Sequence, residues 1–304
     1  MKSMKVLVTG ATGLLGYHII NRLVEEEYDV YAAYHHTSPY ITDVKWIKLD
    51  LLQSDKLYSE VSFLKPEIII HAAACTDVDK CEMNKELAYR TNYLATKVLA
   101  EVARECGSHM VYISTDYVFD GSKGMYSEDD YPNPINYYGL TKLLGEVVVN
   151  SLLPTMSLIL RTSGIYGYSP TGKKNFGINV LEKLDRGEEI LAFSDQYLSP
   201  TCVRHLADKI IDIIDMNLTG FLHLAGERMS RYDFASIIAE ILRVDKKFVK
   251  RSSLEHARLI AKRPKDSSLN ILKASSLGIS LPPVEDCIKH FIEDYRNMKS
   301  YEGR

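Results

Sequence analysis

The sequence of 304 residues predicts an α/β fold in which a parallel sheet is covered by helices on both faces. Short apolar and β-branched runs alternate with helical patterns through the first two-thirds of the chain. Several runs are apolar at successive positions, as in Ile68–Ile70, which is typical of strands covered on both faces. A glycine-rich turn also separates the first strand from the first helix.

The elements of this sheet follow one another at regular intervals. The predicted strands are Lys5–Thr9, Asp29–Tyr34, Lys45–Leu49, Glu67–Ala73, His109–Ser114 and Ser157–Thr162. The predicted helices are Leu14–Glu26, Asn84–Cys106 and Tyr137–Leu152. Right-handed crossovers between these strands give a doubly wound, Rossmann-type sheet.

The character of the chain changes after about residue 165. The later segments predict a long loop (Gly164–Asn175), a turn (Tyr197–Thr201), a strand that returns to the sheet (Phe221–Ala225) and three helices (Asn179–Arg186, Ser230–Leu242 and Val284–Met298). We therefore predict an NAD(P)-binding domain over residues 1–165. Residues 166–304 are expected to form mainly a smaller, interleaved substrate-binding lid, with a strand near residues 221–226 returning to the first domain.

Composition excludes several classes of function. The net charge is −3 and no dense Lys/Arg cluster is present, so we expect no nucleic-acid partner. The longest apolar stretches, such as Ile68–Cys75, fall short of the roughly 20 residues that span a bilayer. Without a secretory pattern at the N-terminus, we expect a cytoplasmic protein with reduced cysteines. The cysteine spacing predicts no metal site.

The turn after the first strand has the spacing of a dinucleotide-binding loop. Gly10 permits a tight turn, Gly13 allows close approach of a pyrophosphate, and Gly16 lets the helix pack on the strand. The pyrophosphate would lie at the N-terminus of the following helix. The alternative is a glycine-rich turn that binds nothing.

The end of the second strand bears on the choice of cofactor. An acidic residue usually stands here and binds the ribose 2′-hydroxyl, but Tyr31–Ser38 contains none. His35, His36 and Ser38 could instead donate to a 2′-phosphate, so NADP(H) is favoured and NAD(H) remains possible. The alternative for the two histidines is a solvated loop pair.

Two further strand ends complete the predicted cofactor site. Asp50 is placed to bind the adenine amino group, or else it caps the helix that follows. Ala72, Ala73 and Ala74 have small side chains that would let the cofactor lie against the backbone.

Tyr138 and Lys142 are four residues apart on a predicted helix and share one face. The lysine could hold the nicotinamide ribose while its charge lowers the pKa of the tyrosine. Tyr138 would then exchange a proton with a substrate oxygen as hydride moves to or from the carbon. The pair alone is weak evidence, because this chain has 20 tyrosines.

Two neighbouring segments strengthen the pair. Ser114 and Thr115 end the fifth strand, where a hydroxyl could orient a substrate carbonyl. Asn92 lies on the preceding helix and would either help order a proton path to Lys142 or serve as a buried structural amide.

Together these residues resemble the dTDP-4-dehydrorhamnose reductase family of the extended short-chain dehydrogenase/reductase superfamily. The resemblance extends over Thr9–Gly16, His71–Asp79, Ser114–Gly121, Tyr138–Glu146, Leu158–Gly167, Asp195–Thr201 and Arg263–Asn270. It implies reduction of the 4-keto group of a nucleotide-linked 6-deoxysugar by Thr115, Tyr138 and Lys142, in a homodimer.

The motifs and the resemblance together give the expected contacts of each ligand. The cofactor would contact Gly10, Thr12, Gly13, Leu14, Leu15, Gly16, His35, Asp50, Leu51, Ala72, Ala73, Ala74, Asn92, Tyr138 and Lys142. The substrate would contact Thr115, Asp116, Tyr117, Asn175 and Gln196. The family usually has a tryptophan where this chain has Gly164, so the acceptor differs here or Tyr166, Tyr168 or Phe176 covers the sugar.

Two alternatives stay open. The chain could be a sugar-nucleotide epimerase or dehydratase of the same superfamily, which retains its cofactor without net redox change. It also resembles the regulatory subunit of methionine adenosyltransferase, which binds the dinucleotide and acts through a protein partner. The intact Tyr138 and Lys142 pair favours an enzyme.

Overall fold

The computed structural model describes residues 4–37, 41 and 43–302, the last five by their backbone alone. The strands are β1 (Lys5–Thr9), β2 (Asp29–Tyr34), β3 (Lys45–Lys48), β4 (Ile68–His71), β5 (His109–Thr115), β6 (Ser157–Thr162), β7 (Ile165–Tyr166), β8 (Ile190–Phe193), β9 (Tyr197–Leu198), β10 (Thr201–Cys202), β11 (Gly220–His223), β12 (Met229–Ser230) and β13 (Val249–Ser252). The α-helices are α1 (Leu14–Glu25), α2 (Ser54–Leu64), α3 (Val78–Met83), α4 (Lys85–Tyr89), α5 (Ala95–Cys106), α6 (Tyr137–Leu152), α7 (Phe176–Asp185), α8 (Val203–Asp215), α9 (Arg231–Leu242), α10 (Leu272–Ser276) and α11 (Val284–Glu302).

Seven parallel strands form the central sheet in the order β3-β2-β1-β4-β5-β6-β11. The strand order reverses between β1 and β4, whose registers pair Val6 with Ile68 and Thr9 with His71. This is the doubly wound Rossmann arrangement, so the predicted fold class is confirmed. Crossing at this point leaves a crevice at the carboxyl ends of β1 and β4, where ligands bind in such sheets.

Side-chain alternation along the strands builds a core on each face of the sheet. Val6 and Val8 of β1 face α1 and α8, whereas Leu7 faces the layer of α2, α5 and α6. All three side chains are fully buried, as two-sided coverage requires. The carboxyl end of β1 at Thr9 is therefore fixed by helices packed on both faces of the sheet.

A separate apolar cluster lies in the later part of the chain. It contains Tyr166, residues of α7, α9 and α11, and the parallel pair β8 and β13. α8 and β11, although late in sequence, pack with the central sheet instead. The interleaving follows from these returns, while the proposed division at residue 165 stays a prediction.

Several element predictions were incomplete. The helices α2 and α8 were not among those predicted, although the apolar positions of α8 recur at helical spacing. The single helix predicted over Asn84–Cys106 is broken into α4, a π-helical turn (Arg90–Leu94) and α5. The predicted turn Tyr197–Thr201 contains β9 and the start of β10, because long-range strand pairing is not visible in a local pattern.

Candidate active site

A cleft of about 800 Å³ lies at the carboxyl edge of the sheet, over the crossing point of β1 and β4. The predicted catalytic residues Thr115, Tyr138 and Lys142 line it. It is also lined by all predicted cofactor contacts except Asn92, namely Gly10, Thr12, Gly13, Leu14, Leu15, Gly16, His35, Asp50, Leu51, Ala72, Ala73, Ala74, Tyr138 and Lys142. The two groups predicted from separate motifs therefore share one cavity.

The glycine turn is shaped by close backbone contacts. Gly10 has a φ of +69°, and a Cβ there would lie 2.8 Å from the Ala73 backbone. A Cβ on Gly16 would lie 2.1 Å from the Gly10 carbonyl oxygen. Of the described side chains, none caps the N-terminus of α1, which follows Gly13. This narrow cradle and uncapped helix end fit the pyrophosphate of a dinucleotide.

A buried hydrogen-bonded chain joins β1 to β4 beneath the cleft. The Thr9 hydroxyl accepts from the Ala73 N–H (3.2 Å) and lies 2.6 Å from His71 Nδ1. His71 Nε2 lies 3.0 Å from Thr96 Oγ1, which donates to the Asn92 carbonyl. That direction makes Nε2 the protonated nitrogen. Burial, helped by the charge of Lys142, lowers the His71 pKa to about 3, so this histidine stays neutral.

At the end of the cleft beside β2 and β3, the predicted contact Asp50 lies close to two histidines. His35 and His36 line the cleft there, and Asp50 approaches from the neighbouring strand end, with its Oδ2 3.7 Å from His35 Nε2. Asp50 also accepts from the Leu52 N–H at 2.9 Å, which lowers its pKa. It therefore stabilises the local turn and lines the cleft at once. Ser38 lies outside the described residues.

The start of α6 places the Tyr138 and Lys142 pair against the cleft. Asn136 caps this helix by accepting from the Gly139 N–H at 2.8 Å. Lys142 is buried, and its Nζ donates to the Ile113 carbonyl at 2.8 Å. Tyr138 lies beside Thr115 at the end of β5. A phenol, a hydroxyl and an ammonium thus meet on one wall.

The protein's own groups do not lower the pKa of Tyr138, contrary to the expected effect of Lys142. Burial raises the Tyr138 pKa above its usual value, and the neighbouring Thr115 hydroxyl only partly opposes this. Burial also lowers the Lys142 pKa to about 7, against a raising effect of Glu146. Lys142 is therefore only partly charged at neutral pH. The phenol keeps its proton, which suits a proton donor.

Asn92 lies away from the lining of the cleft, in the π-helical turn (Arg90–Leu94). Its Oδ1 accepts from the Cys75 N–H at 2.7 Å. Its Nδ2 donates to the Cys75 carbonyl and to Thr141 Oγ1, at 3.1 and 3.0 Å. These contacts tie the loop after β4 to α6, the structural role that the sequence left open.

Asp116 and Asn175, two of the expected substrate contacts, already bind protein groups. Asp116 is buried outside the cleft lining and accepts from Thr115, Ser163 and Ser267, and burial raises its pKa. Asn175 lines the cleft but caps α7 by accepting from the Ile178 N–H at 3.1 Å. Both side chains position the backbone of the site.

The expected substrate contacts Tyr117 and Gln196 both lie beside Arg231, which the sequence patterns did not single out. Gln196 is buried, and its Oε1 accepts from Arg231 Nε at 2.6 Å. Tyr117 is hydrogen-bonded to Arg231 and packs edge-on against Tyr138, with ring centroids 6.0 Å apart. Within the described part of the chain, no carboxylate forms an ion pair with Arg231. A guanidinium ready for an anion therefore lies one aromatic ring away from Tyr138.

A smaller pocket of about 200 Å³ adjoins the cleft at Gly164 and Ile165, which line both cavities. Gly164 has a φ of +50°, and a Cβ there would lie 2.4 Å from Leu198 Cδ1, so a larger side chain needs a rearrangement. Phe176 lines this pocket beneath the Arg231 guanidinium, 4.7 Å from its ring centroid. Tyr166 also lines the pocket, whereas Tyr168 packs against Tyr295.

Neither a metal-binding cluster nor a membrane-spanning helix is present among the described residues. Over residues 4–37, 41 and 43–302, no group of three or more His, Cys, Asp or Glu side chains is arranged to hold a metal ion. Over the same residues, no helix is both long and apolar enough to cross a membrane.

Comparison with known proteins places this geometry in a family. Residues 4–297 match the family described as RmlD substrate binding domain. The chain is 34% identical over 285 residues to a dTDP-4-dehydrorhamnose reductase of Aggregatibacter actinomycetemcomitans, covering 88% of this chain and 91% of the relative. It is 33% identical over 288 residues to a probable low-salt glycan biosynthesis reductase of Haloferax volcanii, covering 93% and 95%. It is 29% identical over 309 residues to methionine adenosyltransferase 2 subunit beta of Danio rerio, covering 98% and 93%.

Solved structures agree with this assignment. A hypothetical dTDP-4-dehydrorhamnose reductase from Sulfolobus tokodaii superposes with a TM-score of 0.83 at 40% identity, over 93% of this chain and 98% of that chain. The NADP complex of dTDP-4-dehydrorhamnose reductase from Bacillus anthracis superposes with a TM-score of 0.84 at 33% identity, over 96% and 99%. The chain therefore belongs to the RmlD family of the extended short-chain dehydrogenase/reductase superfamily.

Proposed function

We propose that this protein is an NAD(P)H-dependent reductase of the 4-keto group of a nucleotide-linked 6-deoxysugar, as in dTDP-rhamnose biosynthesis. The observation that carries the proposal is the meeting of Thr115, Tyr138 and Lys142 in the cleft that contains the glycine turn. A dinucleotide-binding cradle and a proton donor are both needed for ketone reduction, and here they line one cavity.

The bound nicotinamide would supply the hydride, and the chain's own residues would supply position and protons. Thr115 and Tyr138, which are neighbours on the wall of the cleft, are placed to hold the substrate oxygen between them. Tyr138 donates its proton to that oxygen as negative charge develops there. Lys142, fixed by the Ile113 carbonyl, favours the resulting phenolate through its ammonium charge.

Arg231 supports a sugar nucleotide as the substrate class. Tyr117 lies between the Arg231 guanidinium and Tyr138. Among the described residues, Arg231 binds the neutral side chain of Gln196 and forms no ion pair with a carboxylate. Arginine binds phosphate oxygens in a bidentate manner, so this position suits a diphosphate while the sugar reaches Tyr138. The relatives described as dTDP-4-dehydrorhamnose reductases support the same class.

We propose NADPH as the preferred reductant, with NADH also used. His35 and His36 can donate to a 2′-phosphate, and the relative from Bacillus anthracis was solved with NADP. The Asp50 carboxylate would repel a 2′-phosphate. His35 offsets this repulsion, because its Nε2 lies 3.7 Å from Asp50 Oδ2. Replacing His35 by Ala should therefore reduce the ratio of kcat/KM for NADPH to that for NADH.

The test is consumption of NADPH by purified protein with a panel of nucleotide-linked 4-keto-6-deoxysugars, with product identified by mass spectrometry. Tyr138→Phe should lower kcat by about 10²–10⁴, the range for losing a general acid, with little change in the dissociation constant of NADPH. Tyr137→Phe, the adjacent tyrosine on the same helix, is the matched control and should keep its activity. No consumption with any sugar would overturn the proposal, and isomerised product without NADPH loss would indicate an epimerase.

A regulatory role is the second candidate, favoured by the 29% identity to methionine adenosyltransferase 2 subunit beta. It predicts NADPH binding without turnover and a stable complex with a methionine adenosyltransferase. Sedimentation of the two purified proteins together tests this. The same experiment on the protein alone tests the homodimer that we propose for the reductase.

A further inference from the structure

Two cysteines lie side by side at the rim of the cleft, outside the catalytic residues. Cys75 directly follows Ala72–Ala74, which line the cleft, and Cys81 lies within α3. Cys81 Sγ donates to the Cys75 carbonyl oxygen at 3.3 Å, and the two thiols lie close enough to influence each other's charge. The Cys81 sulfur therefore lies against the residue with which a disulfide would form.

The two thiols differ in access and in charge. Cys75 is half-buried, whereas Cys81 is fully buried. The adjacent Cys81 thiol, aided by the charge of Lys80, lowers the Cys75 pKa to about 6. The same contact, together with burial, raises the Cys81 pKa. One partner is thus an accessible thiolate, and the other is a protected thiol that keeps its proton.

We propose that Cys75 and Cys81 form an oxidation site for hydroperoxides, with Cys75 as the attacking thiolate and Cys81 as the resolving thiol. The Cys75 sulfur attacks the peroxide, the O–O bond breaks, and the alkoxide leaves as an alcohol after taking a proton from water. The Cys81 sulfur then attacks the resulting sulfenic acid. The S–O bond breaks, a disulfide forms, and the hydroxyl leaves as water with the Cys81 proton. Two thiols are oxidised by two electrons, and the peroxide is reduced.

The position of the pair links oxidation to the cleft. The Cys75 backbone is fixed on both sides by Asn92, which leaves the side chain as the part that can move. Its neighbour Thr76 lies 3.5 Å from the Lys173 Nζ, and the Cys75 thiolate raises the Lys173 pKa against the lowering effect of burial. A disulfide removes this negative charge from beside Lys173. Anion binding at this end of the cleft should therefore strengthen.

A second pair in the same protein provides a matched comparison. The Cys202 and Cys287 thiols also lie close enough to influence each other's charge, but both are buried in the apolar cluster of the later segments. They are 2% and 4% exposed, so a hydroperoxide cannot approach either sulfur in the folded protein. Proximity of the thiols is common to both pairs, and access distinguishes them.

The experiment is treatment of the full, reduced protein with hydrogen peroxide, followed by alkylation and digestion with trypsin. Lys80 lies between the two cysteines, so trypsin separates them and a disulfide joins two peptides that are otherwise apart. We expect the five free thiols to fall to three, with the linked peptides present and reversed by a dithiol reductant. Oxidation at Cys106 or at Cys202 and Cys287 before the Cys75 pair would overturn the assignment.

Variants separate the two roles. Cys81→Ser should stop at a Cys75 sulfenic acid that dimedone labels, Cys75→Ser should give neither product, and Cys106→Ser should behave as the wild type. Equal dimedone labelling of wild type and Cys81→Ser would contradict the resolving role.

The effect on the cleft rests on the proposed cofactor site and is measured separately. Oxidation should lower the dissociation constant of NADPH roughly fivefold, the lower end of coupling between linked sites. An unchanged value would overturn the coupling. If reduced protein binds no NADPH, the proposed function fails while the disulfide result stands.

Discussion

Replacing the buried Glu146 by Gln should destabilise the protein strongly. Glu146 lies on α6, one turn beyond Lys142, and is 1% exposed. Its Oε2 accepts from Arg161 Nη2 at 2.7 Å, and its Oε1 accepts from Arg161 Nε at 2.9 Å and from the Ser114 hydroxyl at 2.5 Å. The carboxylate therefore joins α6, β5 and β6 at one buried point.

The size of the effect follows from what remains after the change. Glutamine has one amide oxygen and one NH2 group, so at least one of the donors that now faces a carboxylate oxygen will face another donor. Arg161, 2% exposed, would remain charged without a counter-ion. Breaking a buried pair by removing one partner costs about 3–5 kcal/mol, a large part of a total stability of roughly 5–15 kcal/mol.

The assay is urea denaturation at pH 7.5, followed by the fluorescence of Trp46, which is the single tryptophan of the chain. Glu188→Gln is the matched control, because Glu188 pairs with Arg186 through the same groups but on the surface. Its free energy of unfolding should equal that of the wild type. A loss below about 1 kcal/mol for Glu146→Gln would refute the reasoning, since that is the scale of an exposed pair.

Three further predictions concern the cleft. The pKa of Lys142 is 10.5 in its usual environment and about 7 in the folded protein. Between these two values the unfolded chain binds more protons than the folded one. The free energy of unfolding should therefore rise with pH over this range. In Lys142→Met this rise should disappear, and the protein should be more stable by about 1–4 kcal/mol at pH 6, as measured by urea denaturation, while activity is lost. The rate of ketone reduction should fall as pH rises through about 7, where Lys142 loses its charge, and Glu146→Gln should shift this fall to lower pH because Glu146 raises the Lys142 pKa. An unchanged pH profile would contradict that link. Gly16→Ala should abolish NADPH binding in a fluorescence titration, because its Cβ would lie 2.1 Å from the Gly10 carbonyl oxygen, whereas Gly13→Ala, at 3.0 Å from the same atom, should only weaken it.

The parts of the fold that local pattern determines could be predicted from the sequence. The glycine turn lies within a few residues of β1 and α1, so its spacing alone indicated its backbone geometry. Tyr138 and Lys142 were placed together by helical spacing. Each of these inferences needed only one element or two consecutive ones.

The contacts that could not be predicted join distant segments. Asp50 reaches His35 because β2 and β3 are parallel neighbours that end at the same edge, a fact that inspection of β2 alone could not supply. Arg231 is held by Gln196, 35 residues earlier, and nothing local marks either as a partner of the other. The pKa of Tyr138 was misjudged for a related reason, since sequence indicated a nearby lysine but not the burial that dominates both groups.

The arrangement of charge under the cleft explains why chemistry and substrate choice can vary separately in this fold. Lys142 loses part of its charge through burial, and Glu146 opposes that loss while remaining bound to Arg161. These groups lie on α6 and β6, where the helix packs on the sheet and the side chains are buried. An unpaired charge there lowers the stability of the fold, which restricts replacement. Arg231 and Gly164 instead border pockets formed with the second apolar cluster, where side chains can change size without leaving a buried charge. A change of acceptor sugar is therefore expected to arise from residues around the smaller pocket. Substitutions at Gly164 or Phe176 should alter the order of preference among sugar nucleotides while leaving the alkaline fall in rate, set by Lys142, at the same pH.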